Sequence, residues 1–364
     1  MTSQAELLVV VPREAPAPPA APPLTFREKK KALLLLGGVA VLVCAGVVAM
    51  LAGAYSLSLA DVQTVLLAQL PGADASSSDP VHRTVIWEIR LPRILVGALV
   101  GVGLATAGAV YQGVFRNPLV EPFILGVSAG ASFGASLAIL LPAVFPNLQV
   151  GALLFALLAV AIVYSSSRTG GRNPVVSLIL AGVIVSSLFQ ALVSVLKYSS
   201  DDAALRAIVF WIMGGFYHAN WQDVAVLLPV MTAGIALMWV LSWRLNVLSM
   251  GDEEARTLGV NPERLKLAFI VVATLMTAVA VSVVGVIAWV GLMMPHAARM
   301  IVGPDHRYVI PAAALMGAAY LIVCDTLART LTGTEIPISI VTSIAGAPYL
   351  FFLVRRRTRF AWSG

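Results

Sequence analysis

The chain is short of charge. Asp, Glu, Lys and Arg make up 12% of its 364 residues, where a water-soluble domain carries about 25%. With 59% hydrophobic residues, a soluble globular fold is excluded. Cysteine is nearly absent, and Cys44 and Cys324 both lie inside apolar runs, so there is no disulfide framework. None of the five lysines follows a glycine, so the Gly-Lys-Ser/Thr core of a phosphate-binding loop cannot occur. Nucleotide hydrolysis by that route is excluded. A His-Glu-x-x-His helix, a Gly-x-Ser-x-Gly elbow and any Cys/His/carboxylate cluster at ligand spacing are also missing. Catalysis therefore lacks sequence support, and no cofactor or metal is expected on this chain.

Uncharged length is what the chain has in excess. Mean hydropathy is +0.91. Runs such as Ala32 to Ala54 and Ile94 to Phe115 are each long enough to cross ~30 Å of hydrocarbon as helix. Between Glu121 and Arg168 the 46 uncharged residues are twice what one span needs, and Leu141-Pro142…Pro146-Asn147 marks a turn in the middle. From Leu267 to Ala298 a similar excess is punctuated by Gly285, Gly291 and Pro295, which predicts a full span followed by a shorter, broken helix. The runs predict an all-α polytopic membrane protein with about ten spans, near 32–54, 94–115, 122–141, 148–167, 173–196, 224–243, 267–287, 288–302, 308–324 and 336–354.

With the N-terminus inside, 18 of the 24 basic residues fall on inside segments. That excess predicts both termini in the cytoplasm and removes the basic pI near 9.5 as a sign of nucleic-acid binding. Residues 1–25, crowded with Pro12, Pro16, Pro18, Pro19, Pro22 and Pro23, are expected to form a disordered cytoplasmic tail. Residues 26–364 are expected to form one transmembrane domain, its surface in contact with membrane lipid. Three polar stretches interrupt the spans: a weakly amphipathic outside segment from Leu57 to Leu70, a capped outside helix within 199–215, and an inside segment at 251–265. The last reads as a short polar helix stopped by Gly259 and turned at Asn261-Pro262.

Isolated polar residues support two readings each. His82, His218, His296 and His306 are too far apart in sequence to suggest a metal and are read as solvated or locally bonded. Asp325 has Arg329 one turn on, which predicts an intrahelical pair; proton coupling would be the alternative, but no second station is visible.

Two blocks of sequence are more specific. The first runs Arg90-Leu-Pro-Arg93, Leu95-Val-Gly-Ala-Leu-Val-Gly101, Gln112, Arg116-Asn-Pro-Leu-Val-Glu-Pro122 and Leu125-Gly-Val-Ser-Ala-Gly-Ala131. The second runs Gly251…Ala255…Leu258-Gly-Val260, Val290-Gly-Leu-Met-Met-Pro-His-Ala-Ala-Arg299, Asp305-His-Arg307, Asp325-Thr-Leu-Ala-Arg329, Glu335-Ile-Pro337 and Gly346-Ala-Pro348. In order and spacing they closely resemble the permeases of type II ABC importers for iron–siderophore complexes, haem and vitamin B12, across residues 85 to 355. The resemblance implies a ten-helix subunit of a bacterial or archaeal cytoplasmic membrane. It would work as a homodimer with two separate ATPase subunits, which hold the ATP and Mg, and with a soluble binding protein outside.

The resemblance also implies roles for particular residues. Arg90, Arg93 and Arg329 match arginines that meet acidic lobes of the binding protein; interfacial anchoring or helix capping is the plainer alternative. Asn117, Pro118 and Leu119 match a constriction of the pathway, and could equally be an interhelical turn. A second constriction falls on Asn173-Pro174-Val175-Val176, where Val175 and Val176 stand in place of small polar residues. Gly251, Asp252, Glu253, Glu254, Ala255, Leu258, Gly259 and Val260 match the segment that seats in the ATPase and carries its motion to the membrane; otherwise they form a solvated turn. A secondary transporter driven by an ion gradient is the rival class, because breaks in the second and eighth spans could line a cation path.

Overall fold

In the computed structural model, the structure describes residues 26–70, 79–168 and 174–361, with side chains described from 28 to 351 within those stretches, excepting 168 and 174–175. The expected tail, Asn173 and the side chains of Pro174 and Val175 lie outside the described residues. Among the described residues there is no strand, and seven helices are long and apolar enough to cross a membrane. They are α1 (Phe26–Leu51), a continuous stretch ending in α4 (Leu91–Val114), α6 (Leu148–Arg168), α7 (Pro174–Ser199), α9 (Trp221–Val240), α12 (Pro262–Val284) and α14 (His306–Thr330). Shorter apolar helices supply the other three expected spans: α5 (Val127–Leu140), α13 (Val290–Val302) and α15 (Ile338–Ala361). The 14 residues of α5 reach only ~21 Å. A 3₁₀ turn at Pro122–Leu125, closed by Gly126 at φ 82°, prolongs it.

The remaining helices lie at span ends. On one side are α2 (Leu59–Leu67), α3 (Pro80–Arg83) and α8 (Asp202–Met213); on the other are α10 (Ser242–Met250) and α11 (Asp252–Thr257). Their caps explain their positions. Ser58 and Asp61 form a capping box on α2, Asp201 caps α8, and Gly214 at φ 66° ends it. The capped helix expected within 199–215 is α8.

The core is built around α4. Small residues let neighbouring backbones touch it: a Cβ on Gly101 would lie 2.3 Å from the Gly317 carbonyl of α14, and one on Gly108 1.8 Å from the Gly291 carbonyl of α13. Only glycine fits at such approaches. The Tyr111 hydroxyl, buried among these helices, meets Thr274 of α12 at 2.6 Å. At the periphery, α1, α6 and α7 leave Leu33, Leu154 and Ile184 exposed along their outer faces, which suits hydrocarbon and not water.

One expected break needs correction. The chain unwinds between α12 and α13 at Gly285 (φ 75°) through Trp289 (φ 76°), but Gly291 and Pro295 lie inside an unbroken α13. Gly291 is there for close packing on α4, and Pro295 is accommodated within the helix. The unwound stretch is held from both sides. Trp289 donates its backbone N–H to Glu121 Oε1 at 2.9 Å and its indole N–H to Ser343 of α15 at 3.1 Å.

Candidate functional site

The α2/α8 end of the bundle gathers the three arginines expected to dock a partner, and each also has partners within its own chain. Thr84–Arg90 forms a π-helical turn leading into α4. From there the Arg90 guanidinium reaches the open end of α1, donating to the carbonyls of Met50 at 2.6 Å, Leu51 at 3.2 Å and Tyr55 at 2.5 Å. Arg329 donates to the carbonyls of Ala52, at 2.6 Å, and Ala49. Two cations thus occupy the negative pole of α1 and use its orphan carbonyls. Gly53 makes room: a Cβ there would lie 2.6 Å from the Arg90 guanidinium.

Arg93 is spent differently. Its Nε and Nη2 grip Asp325 of α14 in a two-pronged pair at 2.8–3.1 Å, and its Nη atoms reach Glu335 at 2.9 and 3.0 Å. A planar guanidinium suits this bidentate geometry. The intrahelical Arg329–Asp325 pair expected from spacing exists, but at 3.7 Å it is secondary to Arg93. Arg90 and Arg93 are only 5% and 9% exposed, because backbone carbonyls and carboxylates of their own chain surround them. Asp325 and Glu335 carried the resemblance, but their shared partner, 232 and 242 residues away in sequence, left no local signal.

The opposite end carries the other expected residues. Gly251 begins the segment, Ala255 of α11 is fully buried, and Glu253, Glu254 and Leu258 are exposed. The helix stops where expected, and the stop is a Schellman motif. Gly259, at φ 75°, donates to the Arg256 carbonyl and Val260 to the Ala255 carbonyl, each at 3.0 Å. Asn261 then caps α12 through the Arg264 N–H, with Pro262 at the first helical position.

Asp252 ties this segment to two neighbours. It accepts both contacts from the Lys266 ammonium at 2.6 Å at the base of α12, and faces Arg116 at 3.7 Å. Arg116 has a positive φ of 52° and opens the loop that holds Asn117, Pro118 and Leu119. Asn117 Oδ1 accepts the Leu119 N–H at 3.0 Å, leaving Leu119 exposed. The far side of the loop is fixed by Gln112, whose side-chain amide donates to the carbonyls of Val120, Gly291 and Leu292 at 3.2–3.3 Å. The loop is thus connected to α11 by charge and to α13 by one amide. Val176 is half exposed at the start of α7, away from these contacts.

Nearby, Asp305 bridges α14 to α10, accepting from Asn246 at 2.7 Å and from Arg307. Partial burial pushes its carboxyl upward, but the bonds from Arg307 and Asn246 outweigh that and lower it to about 2. Among the described residues no cluster of three His, Cys, Asp or Glu could hold a metal. The four histidines lie apart; His306 is buried, with Nδ1 2.8 Å from Asn246 Oδ1.

A polar groove that the sequence did not reveal lies between α5, α7 and α8. About 360 Å³ in volume, it is lined by Ser128, Ser132, Gln190, Ser194 and Lys197, with Val286 of the unwound segment. Gln190 and Ser194 share one face of α7 at a spacing of one turn, a signal a helical projection of the span would have carried.

Comparison with known proteins agrees with this architecture. The model of the FecCD transport family matches residues 40–356. The chain is 41% identical to the molybdate import system permease protein MolB of Haemophilus influenzae, over 90% of this chain and 96% of that protein. It is 44% identical to the cobalamin import system permease protein BtuC of Halobacterium salinarum, over 76% of this chain and 74% of that one. A solved inward-facing structure of a metal-chelate type ABC transporter superposes with a TM-score of 0.80 at 40% identity, covering 89% of this chain and 99% of that chain. With seven helices long and apolar enough to cross a membrane and three shorter apolar ones among the described residues, a family match over most of its length and these relatives, the chain is a multi-pass ABC importer permease and belongs to the FecCD transport family.

Proposed function

We propose that two copies of this chain form the membrane pathway of an importer powered by two separate ATPase subunits on the α11 side and fed by a soluble binding protein on the α8 side, with both termini in the cytoplasm. The observation that carries the reading is Asp252. One carboxylate on the short polar helix joins the base of α12 and the loop expected to narrow the pathway. Displacement of α11 by a seated ATPase would pull on Arg116 and hence on Asn117 to Leu119. The exposed acidic face of α11 suits a groove in a soluble partner. Hydrolysis belongs to the partner, since this chain has no phosphate-binding loop. The buried arginines set the shape of the binding-protein face, and contact with the partner falls to the exposed residues around them.

The cargo we propose is a metal chelate, with iron siderophore or haem ahead of cobalamin. Relatives named for hemin in Yersinia pestis and iron chelatin in Helicobacter pylori support it, at 38% and 37% identity. The relative named for molybdate favours a second reading, an oxyanion, for which Lys197 and Gln190 supply groove donors. Reconstitution decides among them. Vesicles holding the permease with its ATPase and binding protein should accumulate one of ferric siderophore, haem, cobalamin or molybdate only when ATP is supplied. Uptake driven by an ion gradient without the ATPase would overturn the reading.

A further inference from the structure

A second cleft, of about 480 Å³, opens on the α11 end between the α9–α10 junction and the loop entering α12; Trp243, Arg244, Gly259, Arg264, Leu265 and Ala268 line it. It contains two cations and no carboxylate. Among the described residues no Asp or Glu lies within 4 Å of either guanidinium; the nearby acids are committed elsewhere, Glu263 to Arg256 and Asp252 to Lys266. Two exposed guanidinium groups facing one cleft without a counter-ion repel each other, so the cleft is complementary to an anion.

Each arginine also crowns an apolar strip running into the membrane. Helical bonding continues through Leu241, which donates to Leu237 and accepts from Leu245, so Arg244 stands one turn above Val240 and two above Leu237. On α12 the same spacing sets Arg264 above Ala268, Val271 and Leu275. These are outward-facing positions: Val240 is 72% and Val271 54% exposed. The two helices meet deeper, where Gly234 packs against Met276. From Arg264 to Leu275 the strip measures ~16 Å, comparable with most of an acyl chain. Trp243, with its indole exposed at the rim, belongs to the residue type that sits at the headgroup level.

We propose that this cleft is a binding site for an anionic phospholipid, the phosphate held between Arg244 and Arg264 and the acyl chains laid along the strips of α9 and α12. A soluble anion would account for the arginines but not for the strips. A protein partner would account for the rim but not for apolar faces that continue ~16 Å into the bilayer. The lipid would contact Gly259 and Leu265 directly, and so would brace the turn between α11 and α12. The site is independent of which cargo the importer carries.

Native mass spectrometry of the full-length permease, extracted in mild detergent and washed with excess detergent, tests it. Phosphatidylglycerol and phosphatidylcholine are the added probes. The wild-type protein should retain phosphatidylglycerol and shed phosphatidylcholine. R244Q/R264Q should lose phosphatidylglycerol occupancy by roughly 10- to 30-fold, as two surface cations predict, while R244K/R264K keeps most of it. Intact dimer mass and thermal midpoint would establish that the variants are folded. Equal retention of the two lipids, or unchanged phosphatidylglycerol in R244Q/R264Q, would overturn the proposal. So would displacement by inorganic phosphate, which would make this a free-anion site, or loss of ATPase affinity in R244Q/R264Q with lipid retention intact, which would make it a protein contact.

Discussion

The two ends of the bundle treat charge in opposite ways. At the α8 end Arg90 and Arg93 are buried and Arg329 is partly buried, and all three donate to carbonyls or carboxylates of the same chain. At the α11 end Glu253, Glu254, Arg244 and Arg264 are exposed, and among the described residues none of them has an ion-pair partner within 4 Å. Charges of the first kind fix helix ends in place. Those of the second kind remain available to something outside the chain. A functional assignment based on charge alone cannot separate the two, because side-chain type is the same and only the partners differ.

The sharpest way to break this contrast is Arg93→Ala. It would leave buried Asp325 with only the longer Arg329 contact in place of its bidentate partner, at a cost of about 3–5 kcal/mol, read as a large fall in thermal midpoint in detergent or as failure to accumulate in the membrane. An Arg93→Ala protein of wild-type stability would show that the cluster is not structural. Next is Gly259→Pro at the other end. Proline cannot adopt the positive φ of the Schellman stop, a local strain on the order of 3 kcal/mol, yet the spans are untouched. Membrane insertion should persist while uptake per ATP hydrolysed falls in reconstituted vesicles; an unchanged ratio would reduce the segment to a passive loop. Reversing both Glu253 and Glu254 should act in the same direction with a smaller effect.

Arg329→Ala ranks third. It strands the carbonyls of Ala49 and Ala52, an expected loss of about 1–3 kcal/mol, and should loosen only the end of α1, seen as faster amide exchange over residues 49–55. Equal acceleration across α14 would instead point to the Asp325 contact. Glu335→Gln ranks below it: Glu335 is 41% exposed at its side chain, so only about 0.2–1 kcal/mol is expected. A loss as great as that of Arg93→Ala would mean that Glu335, and not Asp325, is the main anchor. The smallest effect is on pH. Since the Asp305 carboxyl is held at about 2, below its usual 3.8, the stability it lends is complete above pH ~4. It is lost as pH falls toward 2, and Asp305→Asn should flatten that part of the profile.

These contrasts also mark what the sequence could reveal. Span number, the α8 helix, and the stop at Gly259 with the turn at Asn261-Pro262 were legible because each depends on local chemistry: apolar run length, a capping side chain, a glycine required at positive φ. The use made of Arg329 was not, because its acceptors lie 277 and 280 residues away in sequence. Local spacing favoured Asp325 one turn back, and the structure puts that contact second. The same reason hid the Asp252–Arg116 contact, although both residues fall in motifs already singled out. Gly291 and Pro295 misled in the other direction, since residues that break isolated helices can be retained when close packing requires them.

The shortness of α13 has a further consequence, for biogenesis. Its 13 residues cover only ~20 Å, and Arg299 sits near one end, so on its own this helix is a poor candidate for partition into lipid. Its Gly291 backbone is seated on Gly108 of α4, a helix synthesised about 180 residues earlier. The receiving surface is therefore already in the bilayer when α13 leaves the ribosome, and its entry is a step of tertiary assembly and not of independent insertion. Placing α13 behind a foreign span should send it to the wrong side of the membrane, whereas placing it behind α4 through α12 should not, a difference that cysteine accessibility at its ends would reveal.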